Sequence, residues 1–321
     1  MIKIKKIIIW GHMLHSHTHS YIHNAFYIAF KYLGYDTYWY DDNTNVDNID
    51  FSNSLFITEH QVNKKIPLRQ DCLYLSHYID ENDYTNIPKS NIIILKVSER
   101  DFLECDLNKN YTYTKLQYNN NLEYYANCDG YNCLYIYWAT DLLPYEINNN
   151  INNIDNIILQ NNERIINFIG MMTQSWEILK SFCDHNNIIF NNYGASFDIN
   201  SYKNKSINEN VNLIQSSIIA PALQDNYQIE HHYIPCRIFK NISYGKMGMT
   251  NNKLVHNIFN EKILYDYDIN LLITKGLEFE NNINKKEIIV ELMNIVKNNH
   301  TYLNRINTIK RFISDYTEFI L

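Results

Sequence analysis

An α/β protein of two domains, each built on a parallel, doubly wound sheet, is what this sequence predicts. Three observations carry that expectation. The chain of 321 residues exceeds the usual size of one domain and can bury two cores. Short apolar runs alternate with segments of helical periodicity in both halves, the pattern of parallel strands joined by helical crossovers. Between the halves lies NNNINNIDN, Asn148 to Asn156, a low-complexity piece that reads as a linker or an insertion. It sets the expected boundaries: 1–155 for an N-terminal domain, 156–284 for a second domain, and 285–321 for C-terminal helices packing across both.

Ile4 to Trp10 is a continuous apolar run, as in a parallel strand buried on both faces. A polar loop follows. In Ser20 to Gly34, Tyr21, Ala25, Ile28, Ala29 and Tyr32 recur at helical spacing, with Ser20 as N-cap and Gly34 as C-cap. Thr37 to Tyr40 returns as a strand ending in Asp41 and Asp42, and runs at Leu55 to Thr58, Leu73 to Leu75, Ile92 to Val97 and Cys133 to Trp138 extend this first sheet. The second half starts with strand Ile165 to Ile169 and Gly170, a helix through SWEILKSFCDHNN and strand Ile188 to Phe190. A helix through Val211 to Gln215, strand Ile218 to Ala220, a helix from Arg237 and strand Lys246 to Met249 continue the alternation. Lys285 to Phe319 reads as two helices, the first with Ile288, Ile289, Leu292, Ile295 and Val296 on one face.

The composition, 45% hydrophobic and 20% charged, is that of a globular chain. A net charge of -7 and a pI near 5.9 argue against an electrostatic grip on nucleic acid, which needs a basic face. No stretch approaches the ~20 apolar residues of a membrane helix, and the apolar run in MIKIKKIIIWGH is too short for a secretion signal. Cys72, Cys105, Cys128, Cys133, Cys183 and Cys236 are scattered without CxxC spacing, which predicts neither a zinc site nor disulfides and favours a reducing, cytoplasmic compartment. With 27 tyrosines against 8 glycines, an AT-rich codon bias is evident, so a single Asn or Tyr carries little weight and Gly and Pro carry more.

The segment Ile234 to Asn252 carries the most chemistry. On a helix starting at Pro235, which suits a first turn, Arg237, Lys240, Asn241 and Tyr244 share one face, and Ile238, Phe239 and Ile242 the other. A helix N-terminus flanked by Arg237 and Lys240 makes a seat for a diphosphate. Gly245 ends the helix, and KMGMT delivers Thr250, Asn251 and Asn252 to the C-terminal sheet edge, where open α/β folds bind ligands. A solvated amphipathic helix packed on the sheet would show the same pattern.

Directly after the first strand, GHMLHSHTHS brings His12, His15, His17 and His19 together. A side chain with a pKa near ~6.5 suits proton abstraction at neutral pH. Histidine spacing alone would also permit a metal, but no Asp or Glu lies inside the cluster. In WATDLLP, Thr140 and Asp141 follow a strand; Asp141 could hold a sugar hydroxyl, orient a histidine or cap a helix. Asp41 and Asp42 read as loop residues, not metal ligands.

A Gln in the loop after a strand, then PxRxFxxxxxG, then a strand ending in Thr-Asn, here APALQDNYQIEHHYIPCRIFKNISYGKMGMTNN, resembles the donor-binding half of GT-B glycosyltransferases. The chain also resembles glycosyltransferase-like proteins of large DNA viruses and environmental sequences, through HSHTHSYIH, WATDLLP and IPCRIFKNISYG. The resemblance implies two Rossmann-like domains with a nucleotide-binding cleft between them and C-terminal helices crossing back. It implies a UDP-sugar or GDP-sugar donor held by Gln224, Arg237, Lys240, Asn241, Tyr244, Thr250 and Asn251, and a glycan or other hydroxyl acceptor on the N-terminal side. His17, then His19, would be the acceptor base, with Asp141 as a further catalytic residue and Gly11, His12 and His15 lining the cleft. Many GT-B enzymes hold the ribose with a Glu where this chain has Lys240, so Lys240 is assigned to phosphate and the ribose contact is left open. The expected activity is sugar transfer with inversion, without metal or cofactor, in the cytoplasm, or the host cytoplasm for a viral source. The alternatives are a nucleotide-sugar hydrolase or epimerase and a non-catalytic nucleotide- or carbohydrate-binding protein.

Overall fold

The computed structural model describes residues 1–11, 18–58, 64–77, 84–100, 113–116, 123–128, 130–160, 164–170, 174–193 and 205–321. The chain divides into two compact units, Met1–Trp138 with Tyr302–Leu321, and Ala139–Thr301.

The first unit contains β1 (Ile2–Lys3), β2 (Lys6–Trp10), β3 (Thr37–Tyr40), β4 (Ser54–Thr58), β5 (Leu73–Ser76), β6 (Ile92–Lys96), β7 (Tyr113–Leu116), β8 (Glu123–Cys128) and β9 (Tyr131–Tyr135). Among the described residues, β2 to β9 form one sheet in the order β3-β2-β4-β5-β6-β9-β8-β7. From β3 to β9 the pairs are parallel, and the strands there fall at the runs expected from sequence, except that β9 is Tyr131–Tyr135 and ends before the expected Ile136 to Trp138. The last two pairs, β9 with β8 and β8 with β7, are antiparallel, so the sheet is mixed and not purely parallel as expected. Gly130, directly before β9, has φ +84, a region that glycine enters without a Cβ penalty. The helix α1 (Thr18–Tyr32) buries Ile22, Phe26, Ala29 and Phe30. Ser20 lies inside the helix and is buried, not at its cap, and Gly34 leaves the helix at φ +83.

The second unit contains α2 (Pro144–Asn152), α3 (Ile154–Leu159), β10 (Ile165–Phe168), α4 (Gln174–His185), β11 (Ile189–Asn192), α5 (Ile207–Gln215) and α6 (Asn226–Glu230). It continues with α7 (Cys236–Ser243), β12 (Met249–Thr250), α8 (Lys253–Ile258), β13 (Leu264–Tyr265), α9 (Ile269–Phe279) and α10 (Lys285–Asn299). β10 pairs with β11 and β12 with β13, both in parallel. The segment 218–222 joins the two pairs: Ile218 N–H donates to the Ile165 carbonyl at 2.7 Å and Ala222 N–H to the Met249 carbonyl at 2.9 Å. Ala222 and Thr250 form a parallel bridge. The apolar core between this array and its helices includes Ile166, Phe168, Leu179, Ile219, Met249 and Leu272.

The Asn-rich piece is not a linker. Residues 144–152 and 154–159 are helical, and Ile147, Ile154 and Ile157 are buried. Pro144 starts the first of these helices, and the Glu146 carboxylate accepts the Leu143 N–H at 2.7 Å. Composition suggests a linker, while the spacing of the isoleucines among the asparagines is that of an apolar helix stripe.

Lys246, 3% exposed, donates from Nζ to the Ser217 carbonyl at 2.5 Å. Burial pushes its pKa down to about 7, with Glu280 opposing the shift and Lys285 adding to it. Because the folded-state pKa lies below that of the unfolded chain, the unfolded state binds more protons from pH ~7 to ~10, and stability rises with pH across that window. Lys246→Met is therefore expected to raise stability at pH 7 by up to ~4 kcal/mol, the gain shrinking toward pH ~10. Urea unfolding of both chains at the two pH values checks it. A pH-independent difference would show that the lysine charge is not the cause.

After α10 the chain re-enters the first unit as α11 (Tyr302–Tyr316) and β14 (Phe319–Ile320), which pairs in parallel with β1. The two C-terminal helices expected from periodicity are present, one counted with each unit. Tyr302 meets Phe26 of α1 edge-on, ring centroids 4.7 Å apart. Arg305 is fully buried beneath α11. No described helix is long and apolar enough to cross a membrane.

Candidate functional site

In the second unit, the segment from Ile234 to Asn252 folds largely as its sequence directs. Pro235 sits at the N-cap of α7 in an extended conformation, so the helix begins at Cys236, one residue later than expected. Gly245, at φ +98, ends the helix. Ile238, Phe239 and Ile242 are fully buried. The opposite face does not form a single open lining, because its polar residues are drawn to partners within the protein, Lys240 and Tyr244 to Asp141 and Asn241 to the Ala220 carbonyl.

Arg237 reaches the C-terminal end of β10. Its guanidinium carbon lies 4.6 Å from the centre of the Phe168 ring, and Nη1 donates to the Leu223 carbonyl at 3.3 Å. Gly170, two residues after the strand, makes room for it: a Cβ there would fall 1.8 Å from Nη2, and φ at Gly170 is +149. The residue as a whole is half-buried, but the guanidinium head is enclosed by protein, and this burial lowers its pKa below the ordinary arginine value. Among the described residues no carboxylate pairs with it. A guanidinium carries five N–H donors, and the Leu223 carbonyl is its one hydrogen-bond acceptor among the described residues.

The loop that supplies this carbonyl is held from several sides through Gln224. Its backbone N–H donates to Asn251 Oδ1 at 2.9 Å, and Asn251 Nδ2 donates to its carbonyl at 2.8 Å. That amide imitates the hydrogen bonds of a neighbouring strand. The Gln224 side chain donates from Nε2 to the Tyr233 carbonyl at 2.8 Å and accepts from Asn252 Nδ2 at 2.9 Å. Ser175, in the first turn of α4, donates to the Gln224 carbonyl at 2.6 Å, so a helix N-terminus abuts the same loop. Thr250 is buried and accepts the Asn252 N–H through Oγ1 at 3.1 Å. Of the expected donor contacts, Gln224 and Asn251 are committed to each other, and Thr250 to the Asn252 backbone. Their polar groups hold the loop beside Arg237.

The remaining residues of the expected face also have protein partners. Asn241 Nδ2 donates to the Ala220 carbonyl at 2.8 Å, tying α7 to the 218–222 segment. Lys240, expected on phosphate, pairs with Asp141 instead, its Nζ 2.8 Å from Oδ2, and Tyr244 donates its hydroxyl to Asp141 Oδ1 at 2.7 Å. Asp141 is buried, and burial with this carboxylate raises the Tyr244 pKa well above its ordinary value. Asp141 therefore neither faces solvent nor contacts a described histidine; it neutralises Lys240. Ser243 and Thr140 continue this network, their hydroxyls 2.7 Å apart.

In the first unit, Gly11 follows β2, and its carbonyl accepts Trp39 Nε1 at 3.1 Å. His19 is in the first turn of α1 and partly exposed. His12, His15 and His17 lie outside the described residues. Asp41 accepts from Asn43 N and Thr44 Oγ1, and Asp42 accepts from Trp10 Nε1 and the backbone of Lys64 and Lys65; both are turn residues, as their place after a strand predicts. Two histidines outside the sequence-predicted set, His23 and His77, stand beside His19. The i,i+4 spacing of His19 and His23 is the signal in the sequence that could have found one of them. Among the described residues, no group of three His, Cys, Asp or Glu side chains is arranged to hold a metal ion.

A surface depression of about 420 Å³ also opens in the second unit, lined by Arg164, Phe182, Asn186, Ile218 and Glu280 among others. It lies at the N-terminal end of β10, whereas ligands of parallel α/β sheets bind beyond the C-terminal ends of the strands. Arg237 is at that C-terminal end.

Fold and site together describe an α/β protein with a guanidinium at the C-terminal edge of a parallel array that has no carboxylate partner among the described residues. No protein-family model matches the chain, and no curated protein matches it in sequence. Among solved structures it is similar to an α-glucosyltransferase in complex with UDP, with a TM-score of 0.55 and 10% identity, over 97% of this chain and 100% of that one. At that identity the likeness is one of fold. The sequence resemblance to proteins of large DNA viruses has no counterpart among these matches.

Proposed function

We propose that this chain is a glycosyltransferase that uses a nucleoside diphosphate sugar and receives the donor diphosphate at Arg237. The observation that carries this is the enclosed guanidinium without a carboxylate partner among the described residues. Holding a cation out of water without a countercharge is unfavourable for the free protein, and an anionic ligand supplies the missing charge. The first turn of α4 adds oriented N–H groups on the same side. A fold shared with a UDP-bound glucosyltransferase supports the same ligand class.

In the proposed reaction the bond between the anomeric carbon and the diphosphate breaks, and its electrons leave with the diphosphate. Arg237 stabilises the charge that develops there, the place where binding accelerates rather than merely retains. The acceptor hydroxyl attacks with inversion and gives its proton to a histidine from the stretch after β2, His17 or His19. No metal or further cofactor has a part in it.

A thermal-shift comparison of UDP, GDP and uridine tests the donor site. A ligand at 100 times its Kd stabilises the native state by about 2.7 kcal/mol, so a diphosphate should raise Tm by several degrees and uridine at equal concentration should not. Release of UDP or GDP from the matching sugar nucleotide should continue at an unchanged rate with a chelator present. No shift with either diphosphate would refute the site, and loss of turnover on chelation would refute the metal-free reaction.

A further inference from the structure

Three imidazoles gather at the C-terminal edge of the first unit's sheet. His19 and His23 stand one turn apart on α1, and His77 directly follows β5. The ring centroids of His19 and His77 are 5.4 Å apart, those of His23 and His77 are 6.3 Å apart and stacked, and those of His19 and His23 are 6.5 Å apart. Trp138, just beyond β9, sets its indole edge-on to both His77 at 5.1 Å and His19 at 6.5 Å. His23 is fully buried, while His19 and His77 are partly exposed. Space for the inner ring comes from Gly11, where a Cβ would lie 2.3 Å from two His23 ring atoms. A glycine after β2 and a buried histidine on α1 are thus one structural requirement.

We propose that His77 is a positioning residue for His19, holding that imidazole by ring packing, with His23 behind it and Trp138 alongside, so that His19 can take the acceptor proton. The proposal rests on the transfer reaction above. A side chain in the first, half-exposed turn of a helix would otherwise sample several rotamers, and a base acts only when its nitrogen is held within hydrogen-bond reach of the proton. In the simplest turnover, with water as acceptor, the sugar–diphosphate bond breaks and a sugar–oxygen bond to water forms. The proton of that water passes to His19.

The test combines release of UDP from UDP-glucose, or of GDP from GDP-glucose, with the Cε1–H NMR resonance of His19. His77→Ala should lower kcat by ~10-fold or more with KM nearly unchanged, and should shift or broaden the His19 resonance. His77→Phe keeps a flat ring but cannot titrate, and it should restore most of kcat and the resonance. If His77→Ala does not fold, His77→Leu, which removes the ring face and keeps the bulk, takes its place. An unchanged kcat and resonance in the ring-less variant overturn the proposal, as does a His77→Phe protein as impaired as His77→Ala, which would make the imidazole a proton carrier. A wild-type chain that releases neither UDP nor GDP overturns the transfer reaction and this proposal with it, whereas a turning-over wild type matched by His77→Ala overturns the proposal alone.

Discussion

Arg237→Ala should weaken UDP binding by ~100-fold while the affinity for uridine stays nearly unchanged. Charge-assisted hydrogen bonds contribute about 1.5–3 kcal/mol each, and those that the substitution removes are to phosphate, not to base or ribose. Arg237→Lys keeps the charge but not the planar fork, and should fall between alanine and wild type. The same residue predicts an opposite effect on the free protein. Its guanidinium is enclosed beside Phe168 and Gly170 without a countercharge among the described residues, so Arg237→Met should leave the ligand-free chain at least as stable as wild type. Gly170→Ala should reproduce the binding defect without touching the arginine, because the added Cβ would occupy the place of Nη2 and the backbone there is in a region that suits glycine. Calorimetric titration of these variants with UDP and uridine decides the matter. Equal losses for both ligands, or none, would place the phosphate elsewhere.

Arg305→Met should destabilise the protein by ~3–5 kcal/mol, the cost of leaving a buried charge without its partner. Arg305 Nε donates to the Tyr137 carbonyl at 2.6 Å and Nη2 to the Trp138 carbonyl at 3.2 Å, with the guanidinium 4.2 Å from the Tyr137 ring centre. Nη1 lies 3.8 Å from Glu123 Oε1, both side chains being at most 1% exposed, and Thr308 Oγ1 donates to Glu123 Oε2 at 2.8 Å. These interactions join α11 to β8 and to the chain just beyond β9. Removing Glu123 as well, in Glu123→Met/Arg305→Met, should recover part of the loss, because a well-packed apolar pair is often as stable as a buried ion pair. Urea unfolding of the single and double variants measures the coupling. A single variant within ~1 kcal/mol of wild type, or a double variant as unstable as the sum of the singles, would show that the pair is not the anchor of α11.

The parts of the fold legible in the sequence are those whose signal lies in neighbouring residues. β2 is a run of apolar side chains, α1 an apolar stripe closed by Gly34, and α7 a helix bracketed by Pro235 and Gly245. The antiparallel β7 and β8 are hidden because Glu123 occupies an inward position of β8, which breaks the alternation expected of a half-buried strand. Its compensating groups, Arg305 and Thr308, belong to the far end of the chain. The Asn-rich helices are hidden for a different reason: the abundance of asparagine masks the helical spacing of Ile147, Ile154 and Ile157.

The candidate site divides along the same line. Arg237 and Lys240 share a helix face by sequence alone, two equivalent cations a turn apart. Asp141 separates them, pairing with Lys240 and leaving Arg237 with a carbonyl and an aromatic ring. Gln224, Asn251 and Asn252 are likewise legible as polar residues at a sheet edge, but their mutual hydrogen bonds make them the frame of the loop beside Arg237. Helical and strand periodicity follow from backbone geometry over a few residues, so local sequence suffices to reveal them. Whether a buried charge or amide is satisfied depends on partners brought together from distant parts of the chain, because desolvation and Coulomb attraction act through space.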